Sequence, residues 1–292
     1  MRLRKRLFQR LMVWSKMLAP QNRLGDRYVA WIDFRLHQRR WPSKNKMLFN
    51  DVLYRLKTSD EICDPLRVFV TDKEFGKLYI KAILGDAYNV PTLAVLRSKQ
   101  EVASYTFPDV CCIKATHGCG QVIMRLTGED IDVEEIKSWF DLNYYRNGRE
   151  ANYRDLTPKV IVEPLIFGTP NPLQYKFLCW KGRPKIVRAY HGTPGDRQRA
   201  LFDMNWSDLD YGLKYPKAKT LPPRPDTFEE MKDVAAKLAA DFPGIMRVDL
   251  YSDGQKVYAG ELTNINSNVT SRFTPPDAEA DASALLFSDD DP

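Results

Sequence analysis

The sequence predicts an α+β fold, and three observations carry that prediction. Short apolar segments in the middle and near the end of the chain pair as hairpins about glycine-containing turns; amphipathic helical patterns lie among them; strict strand-helix-strand alternation is missing. A Rossmann domain is disfavoured because no G-x-G-x-x-G follows a strand. A P-loop is disfavoured because Gly76-Lys77 lacks the upstream glycine and the Ser or Thr.

With 292 residues, 43% hydrophobic and 12% aromatic, the chain has material for one large domain or two smaller ones. No apolar run approaches the roughly 20 residues of a membrane-spanning helix. Cys63, Cys111, Cys112, Cys119 and Cys179 form neither a disulfide framework nor a zinc pattern, so they read as reduced, mostly buried thiols of a cytoplasmic protein.

The net charge of +6 sits in residues 1–20, which hold six basic residues and no acid. There Leu3, Leu7, Leu11 and Trp14 recur at helical spacing opposite the basic positions. Two readings stand: a helix lying on an anionic membrane surface, at the inner face of the cell membrane, or a helix docked on the domain with its basic face in water. Lys16 interrupts the apolar stretch, which disfavours a secretory signal. The basic excess does not continue into an aromatic-studded surface, so nucleic acid is not an expected partner.

Residues 21–60 read as helical connecting structure. A helix follows over 64–87, with Asp72 as a cap, Phe75, Leu78, Tyr79, Ala82 and Ile83 at helical spacing, and Gly85 as its stop. Residues 110–115 and 121–126 read as strands around Thr116-His117-Gly118-Cys119-Gly120, and residues 129–147 as helix. Residues 160–167 read as a strand, 175–180 and 185–190 as a hairpin, and the proline-rich stretch to Pro225 as irregular. Thr227 with Glu230 forms a capping box for a helix whose stripe is Phe228, Met231, Val234, Leu238 and Phe242. Residues 245–251 and 256–262 make a last hairpin, and an acidic tail follows.

Two elements carry chemistry. Lys114 ends an apolar strand before Gly118 and Gly120, where a fixed positive charge and approachable backbone N–H groups suit a phosphate. In the last hairpin a three-residue loop, Ser252-Asp253-Gly254, places Arg247, Asp249 and Glu261 on one face. Two neighbouring carboxylates are costly to bury without a cation between them, which points to magnesium.

The order K-x-x-H-G-x-G, V-E-P-L-I, Y-K-F-L-C-W-K-G-R-P, F-D-M-N-W, R-V-D-L-Y, G-E-L-T and R-F-T-P, over about residues 48–276, resembles the TupA-like branch of the ATP-grasp superfamily, associated with cell-surface polysaccharide and teichuronopeptide synthesis. The resemblance implies an ATP-grasp fold of two α+β subdomains clasping ATP over 48–276; the composition outside it reads as a basic helical N-terminal extension over 1–47 and a flexible acidic tail over 277–292. The resemblance also implies ATP and Mg²⁺ as cofactors and an ATP-dependent carboxylate-amine ligase. By position, Lys114 matches the first nucleotide-binding lysine and His117, Gly118 and Gly120 the loop over the phosphates. Glu163, Leu165 and Ile166 match the adenine-reading hinge, and Lys176 a second phosphate-facing cation. Arg247 matches the arginine near the transferred phosphoryl group, and Asp249 and Glu261 the magnesium ligands, with Thr263 or Asn264 as a third. Gln174 replaces an acidic residue common before the Y-K pair.

The implied substrates are a carboxylate-bearing glycan or amino acid and an amine. Arg188, His191, Arg197 and Arg199 are candidates to hold the anionic partner. The rival reading is a glycosyltransferase that binds metal through Asp208-Leu209-Asp210.

Overall fold

The computed structural model describes residues 14–192, 196 and 198–289. Residues 14–18 are helical, and most of the basic segment lies outside the described residues. Helix α1 (Arg23–Gln38) is capped by Asn22, whose side chain accepts from Gly25 N. It buries Val29, Ile32 and Phe34 and packs on α2 (Phe49–Thr58). Gln38 ties its end to the C-terminal part by donating to Val269 O at 2.8 Å and Ser271 O at 3.1 Å.

The helix expected over 64–87 is two. Asp64 caps α3 (Pro65–Thr71), and Asp72 turns the chain out and caps α4 (Lys73–Leu84), accepting from Glu74 N and Phe75 N; Gly85, at φ 82°, ends it. A short aspartate that satisfies two N–H groups ahead of it favours a new start over continuation. The same chemistry divides the helix expected over 129–147. Asp132 caps α6 (Val133–Ser138) and Asn143 caps α7 (Tyr144–Gly148); α5 is the short helix Lys99–Ser104.

Two sheets carry the site. The smaller has strand order β1 (Ala94–Leu96), β4 (Val160–Glu163), β2 (Cys111–Ala115), β3 (Val122–Arg125), all antiparallel. Its inner face packs Ile113, Val160 and Val162 against Val102 of α5 and Ile136 of α6. The strand expected over 160–167 ends at Glu163, where Pro164 begins the turn.

The larger sheet runs β10 (Val257–Thr263), β9 (Ile245–Ser252), β5 (Gln174–Trp180), β6 (Arg183–His191), β7 (Gln198–Phe202). One face buries Phe177, Val187, Val248 and Leu250 against Phe228, Met231 and Leu238 of α8 (Phe228–Ala239). The other face is apolar at one end, with Leu178, Ile186 and Ile245 meeting α2 and α9 (Ala278–Leu286). At its other end it is charged. Strand β7 falls in the stretch expected to be irregular; among prolines and polar residues its five residues give little alternation to read. A ribbon of β8 (Gly212–Leu213) and β11 (Phe273–Thr274) completes the strands.

Two expectations are corrected here. Residues 277–292 are not a loose tail where described: α9 buries Ala282 and Leu286, and Ser283 Oγ accepts from Phe49 N at 2.8 Å. Its alanines and leucines outweigh the acids at the packed face. The capping box also fails, since Thr227 makes no cap hydrogen bond and shares its hydroxyl with Ser252 at 2.7 Å.

Candidate active site

A cavity of about 280 Å³ opens between the two sheets. The smaller sheet contributes Lys114 and Cys112 from β2, Val122 and Met124 from β3, and Glu163 from β4; the turn after β4 contributes Leu165 and Ile166. The larger sheet contributes Gln174, Tyr251, Gly260 and Glu261, and α4 contributes Lys73 and Lys77. Apolar walls with a few convergent charges are what a ligand with a flat ring and an anionic tail requires.

On the smaller sheet Glu163 is 6% exposed and takes two lysines: Lys114 Nζ at 2.8 Å and Lys77. Burial alone would disfavour its charge, but Lys114 and Lys77 hold its carboxyl below the usual range. Burial likewise opposes the Lys114 ammonium, yet Glu163 raises its pKa, whereas for Lys77 burial wins and lowers it. Cys112 is pushed up to about 11 by burial, which keeps the thiol protonated and leaves no thiolate nucleophile at that wall.

On the larger sheet the register aligns Glu261 with Asp249, Asp249 with Lys176, and Lys176 with Arg188. Because directly paired residues share a face, these four side chains form a row across four strands. Asp249 is fully buried and accepts from Lys176 and, twice, from Arg247: Nε to Oδ1 at 2.6 Å and Nη2 to Oδ2 at 2.9 Å. Arg247 Nη2 also reaches Glu261 Oε1 at 3.1 Å, and Nη1 reaches Asn266 Oδ1 at 3.0 Å. Burial disfavours the Asp249 charge, but Arg247 and Lys176 hold its carboxyl well below the carboxylate range.

The face shared by Asp249 and Glu261 arises differently from expectation. Ser252 pairs with Val257, so the loop has four residues rather than three, and alone this would put the two carboxylates on opposite faces. A bulge at Gly260, between the pairs Ala259–Leu250 and Glu261–Asp249, restores the parity. A Cβ at Gly260 would meet Tyr251 Cε2 at 2.5 Å, so a side chain there would have to displace the Tyr251 ring.

The TupA-like ATPgrasp family model matches residues 53–283. The chain belongs to that family. Its fold is the ATP-grasp fold: two α+β parts with the cavity between their sheets. A search of the curated proteins finds no match. Among solved structures the chain is similar to D-alanine-D-alanine ligase from Helicobacter pylori at 19% identity, TM-score 0.39, covering 70% of this chain and 56% of that one. It is similar to the Bacillus anthracis D-alanine-D-alanine ligase complexed with ATP at 14% identity, TM-score 0.41, 68% and 55%. For L-amino acid ligase from Bacillus licheniformis the figures are 12%, 0.42, 76% and 51%. The chain thus spans about half the length of those proteins.

Of the residues that the family resemblance singles out, Lys114, Glu163, Leu165, Ile166 and Glu261 line the cavity, and Lys176 and Asp249 join Glu261 in the charged row, with Arg247 bonded beside it. Glu163 is not a free reader of adenine, because both oxygens are held by lysines. His117 is corrected: it is buried away from the cavity, with Nε2 3.0 Å from Trp139 O. Gly118 and Gly120 do not line the cavity either; Lys73 holds Gly118 O at 2.6 Å, and Gly120 turns the chain at φ 98°.

Thr263 shares the Glu261 face, its Oγ1 3.4 Å from Glu261 Oε1. Asn264 is corrected, since Arg67 Nη1, Arg67 O and Thr71 Oγ1 at 3.0, 3.0 and 3.1 Å take its whole amide. Asp249, Glu261 and Thr263 form an all-oxygen set of the kind magnesium takes, and both Asp249 oxygens are held by Arg247 and Lys176 in this structure, so a metal there would have to displace one of those cations. The rival D-x-D is neutralised at the surface, where Lys217 binds Asp208 at 2.8 Å and also Asp210. Sequence reasoning missed Lys77 and Asn266; the four-residue spacing of Lys73 and Lys77 on one helix face was the available signal for the former.

Proposed function

We propose that this protein is an ATP-dependent carboxylate-amine ligase acting through an acyl phosphate, with a uronic-acid glycan or an amino acid as the carboxylate substrate. The single observation that carries the reading is the row Glu261, Asp249, Lys176 beside Arg247, which runs from Glu261 in the wall of a cavity whose lining suits a nucleotide. Leu165, Ile166, Val122 and Met124 would hold the base, and Lys114 and Lys77 the phosphates. Magnesium on Asp249, Glu261 and Thr263 would supply neutralisation of phosphate charge.

The carboxylate oxygen attacks the γ-phosphorus, the bond to the bridging oxygen breaks, and ADP leaves with the electron pair. An amine then attacks the carbonyl carbon and phosphate departs. The side chains perform no covalent chemistry; Lys176 and Arg247 are preset positive charges that cost no reorganisation when the phosphoryl group moves.

Incubating the protein with MgATP, hydroxylamine and single carboxylates tests the reading. Formation of a hydroxamate together with ADP supports it. ADP release that no uronic acid or amino acid stimulates, or turnover of UDP-sugars instead, contradicts it.

The reading extends to location: a cytoplasmic enzyme held at the inner membrane face by residues 1–20. Trp14, Met17 and Leu18 are 68%, 78% and 83% exposed. Residues 1–47 hold thirteen basic residues against two acids, and such an excess favours anionic lipid. Among the described residues no helix is long and apolar enough to cross a membrane. The full chain should sediment with vesicles of phosphatidylglycerol and be released by salt. Equal sedimentation of a chain beginning at Gln21 rules the anchor out.

A further inference from the structure

We propose that Arg188 is the anchor for the acceptor's carboxylate, holding it beside the phosphoryl group in transfer. This rests on the ligase reading above and assigns its second subsite. Of the four basic residues in the middle of the chain, two are engaged elsewhere: His191 Nε2 is 2.7 Å from Thr220 O, and the Arg199 guanidinium stacks 3.6 Å over the Tyr215 ring; Arg197 lies outside the described residues.

Arg188 is different. It is 6% exposed, and its Nε and Nη1 have no hydrogen-bond partner among the described residues. A buried guanidinium with two unpaired N–H groups is costly unless an anion completes it. The ring of Tyr190 lies 5.3 Å from the guanidinium carbon and covers one side without supplying an acceptor to those two atoms.

Position decides which anion. Arg188 is the next residue in the row after Lys176, with the carboxylates Asp249 and Glu261 on the far side of Lys176. Neighbouring strands lie about 4.8 Å apart, so Arg188 stands roughly 10 Å along the row from Asp249. Phosphoryl transfer places the attacking and leaving oxygens roughly in line. With the leaving ADP at the carboxylate end and Lys176 under the moving group, the attacking oxygen enters from the Arg188 end. A guanidinium there fixes the carboxylate's approach without neutralising the metal ligands.

The test is NMR of the protein labelled with ¹⁵N-arginine and saturated with MgADP. The Arg188 Nε–H resonance is assigned by its loss in Arg188→Lys. Sodium acetate and sodium galacturonate should each shift that resonance saturably, whereas galacturonamide and sodium chloride should not. Arg188→Met should keep MgADP affinity within twofold.

A shift with inorganic phosphate but not with carboxylates would reassign Arg188 to the transferred group and overturn the proposal. So would no shift with any anion, or a tenfold loss of MgADP affinity in Arg188→Met. Failure of the unmutated protein to bind MgADP, read by calorimetry in the same buffer, would instead sink the ligase reading beneath it.

Discussion

Asp249 illustrates how one residue couples fold and chemistry. It is fully buried, and the charges that keep it ionised, Lys176 and Arg247, are those proposed to face the phosphoryl group. Breaking a buried pair by removing one partner costs about 3–5 kcal/mol, because the survivor is left uncompensated. Lys176→Met, which leaves Asp249 with Arg247 alone, should therefore lower Tm as well as activity; Lys114→Met, which leaves Glu163 with Lys77 alone, should lower Tm and also weaken ATP binding, because Lys114 lines the cavity. Thermal melts beside ATP titrations separate the two; equal Tm for Lys176→Met and the unmutated protein would contradict this account. Glu150 makes a second prediction. Burial, opposed by Lys57, pushes its carboxyl up to about 7 from the ordinary 4.5. A raised folded-state pKa means that the contribution is full below pH 4.5 and lost as pH rises through 7, by about 3 kcal/mol. Glu150→Gln keeps the shape and removes the titration, so melts at pH 5 and pH 8 should differ less in the variant. An equal loss in both proteins would contradict the assignment.

At the scale of elements, the β9–β10 hairpin shows what sequence alone could and could not give. The residue types Arg247, Asp249 and Glu261 were legible in the sequence, but their shared face was derived from a three-residue loop that the structure does not have. The turn itself was not legible: Asp253 Oδ1 accepts from Gln255 N and Lys256 N, giving a four-residue loop, and the Gly260 bulge offsets it. Two local choices cancel in parity, and neither leaves a pattern in hydrophobicity. Similarly Asp72 was visible as a cap type, but whether a cap starts a helix or interrupts one depends on tertiary packing. His117 and Asn264 were misplaced for the same reason: motif position gives a residue's neighbourhood and not the direction of its side chain. Gly260→Val tests the bulge. It should force Tyr251 into the cavity, cost about 1–3 kcal/mol of stability, and raise the KM for ATP. Unchanged Tm and KM would show that the strand accommodates a side chain there and that glycine is not required.

Over the whole molecule, two sheets of different size meet at one cavity: Lys114 reaches it from the smaller sheet, Lys73 and Lys77 from α4, and Glu261, which Arg247 holds, from the larger sheet. Nucleotide binding should accordingly stabilise the protein in proportion to ligand concentration, and only where magnesium accompanies it. The most direct measurement is isothermal titration of ATP in magnesium into the unmutated protein, Lys114→Met and Asp249→Asn, with UDP-glucose as the competing ligand. The account predicts that ATP binds and UDP-glucose does not, that Lys114→Met weakens ATP by about tenfold or more, the worth of one charge-assisted contact, and that Asp249→Asn removes the magnesium dependence. ATP binding no tighter than UDP-glucose, or unchanged in both variants, would contradict it.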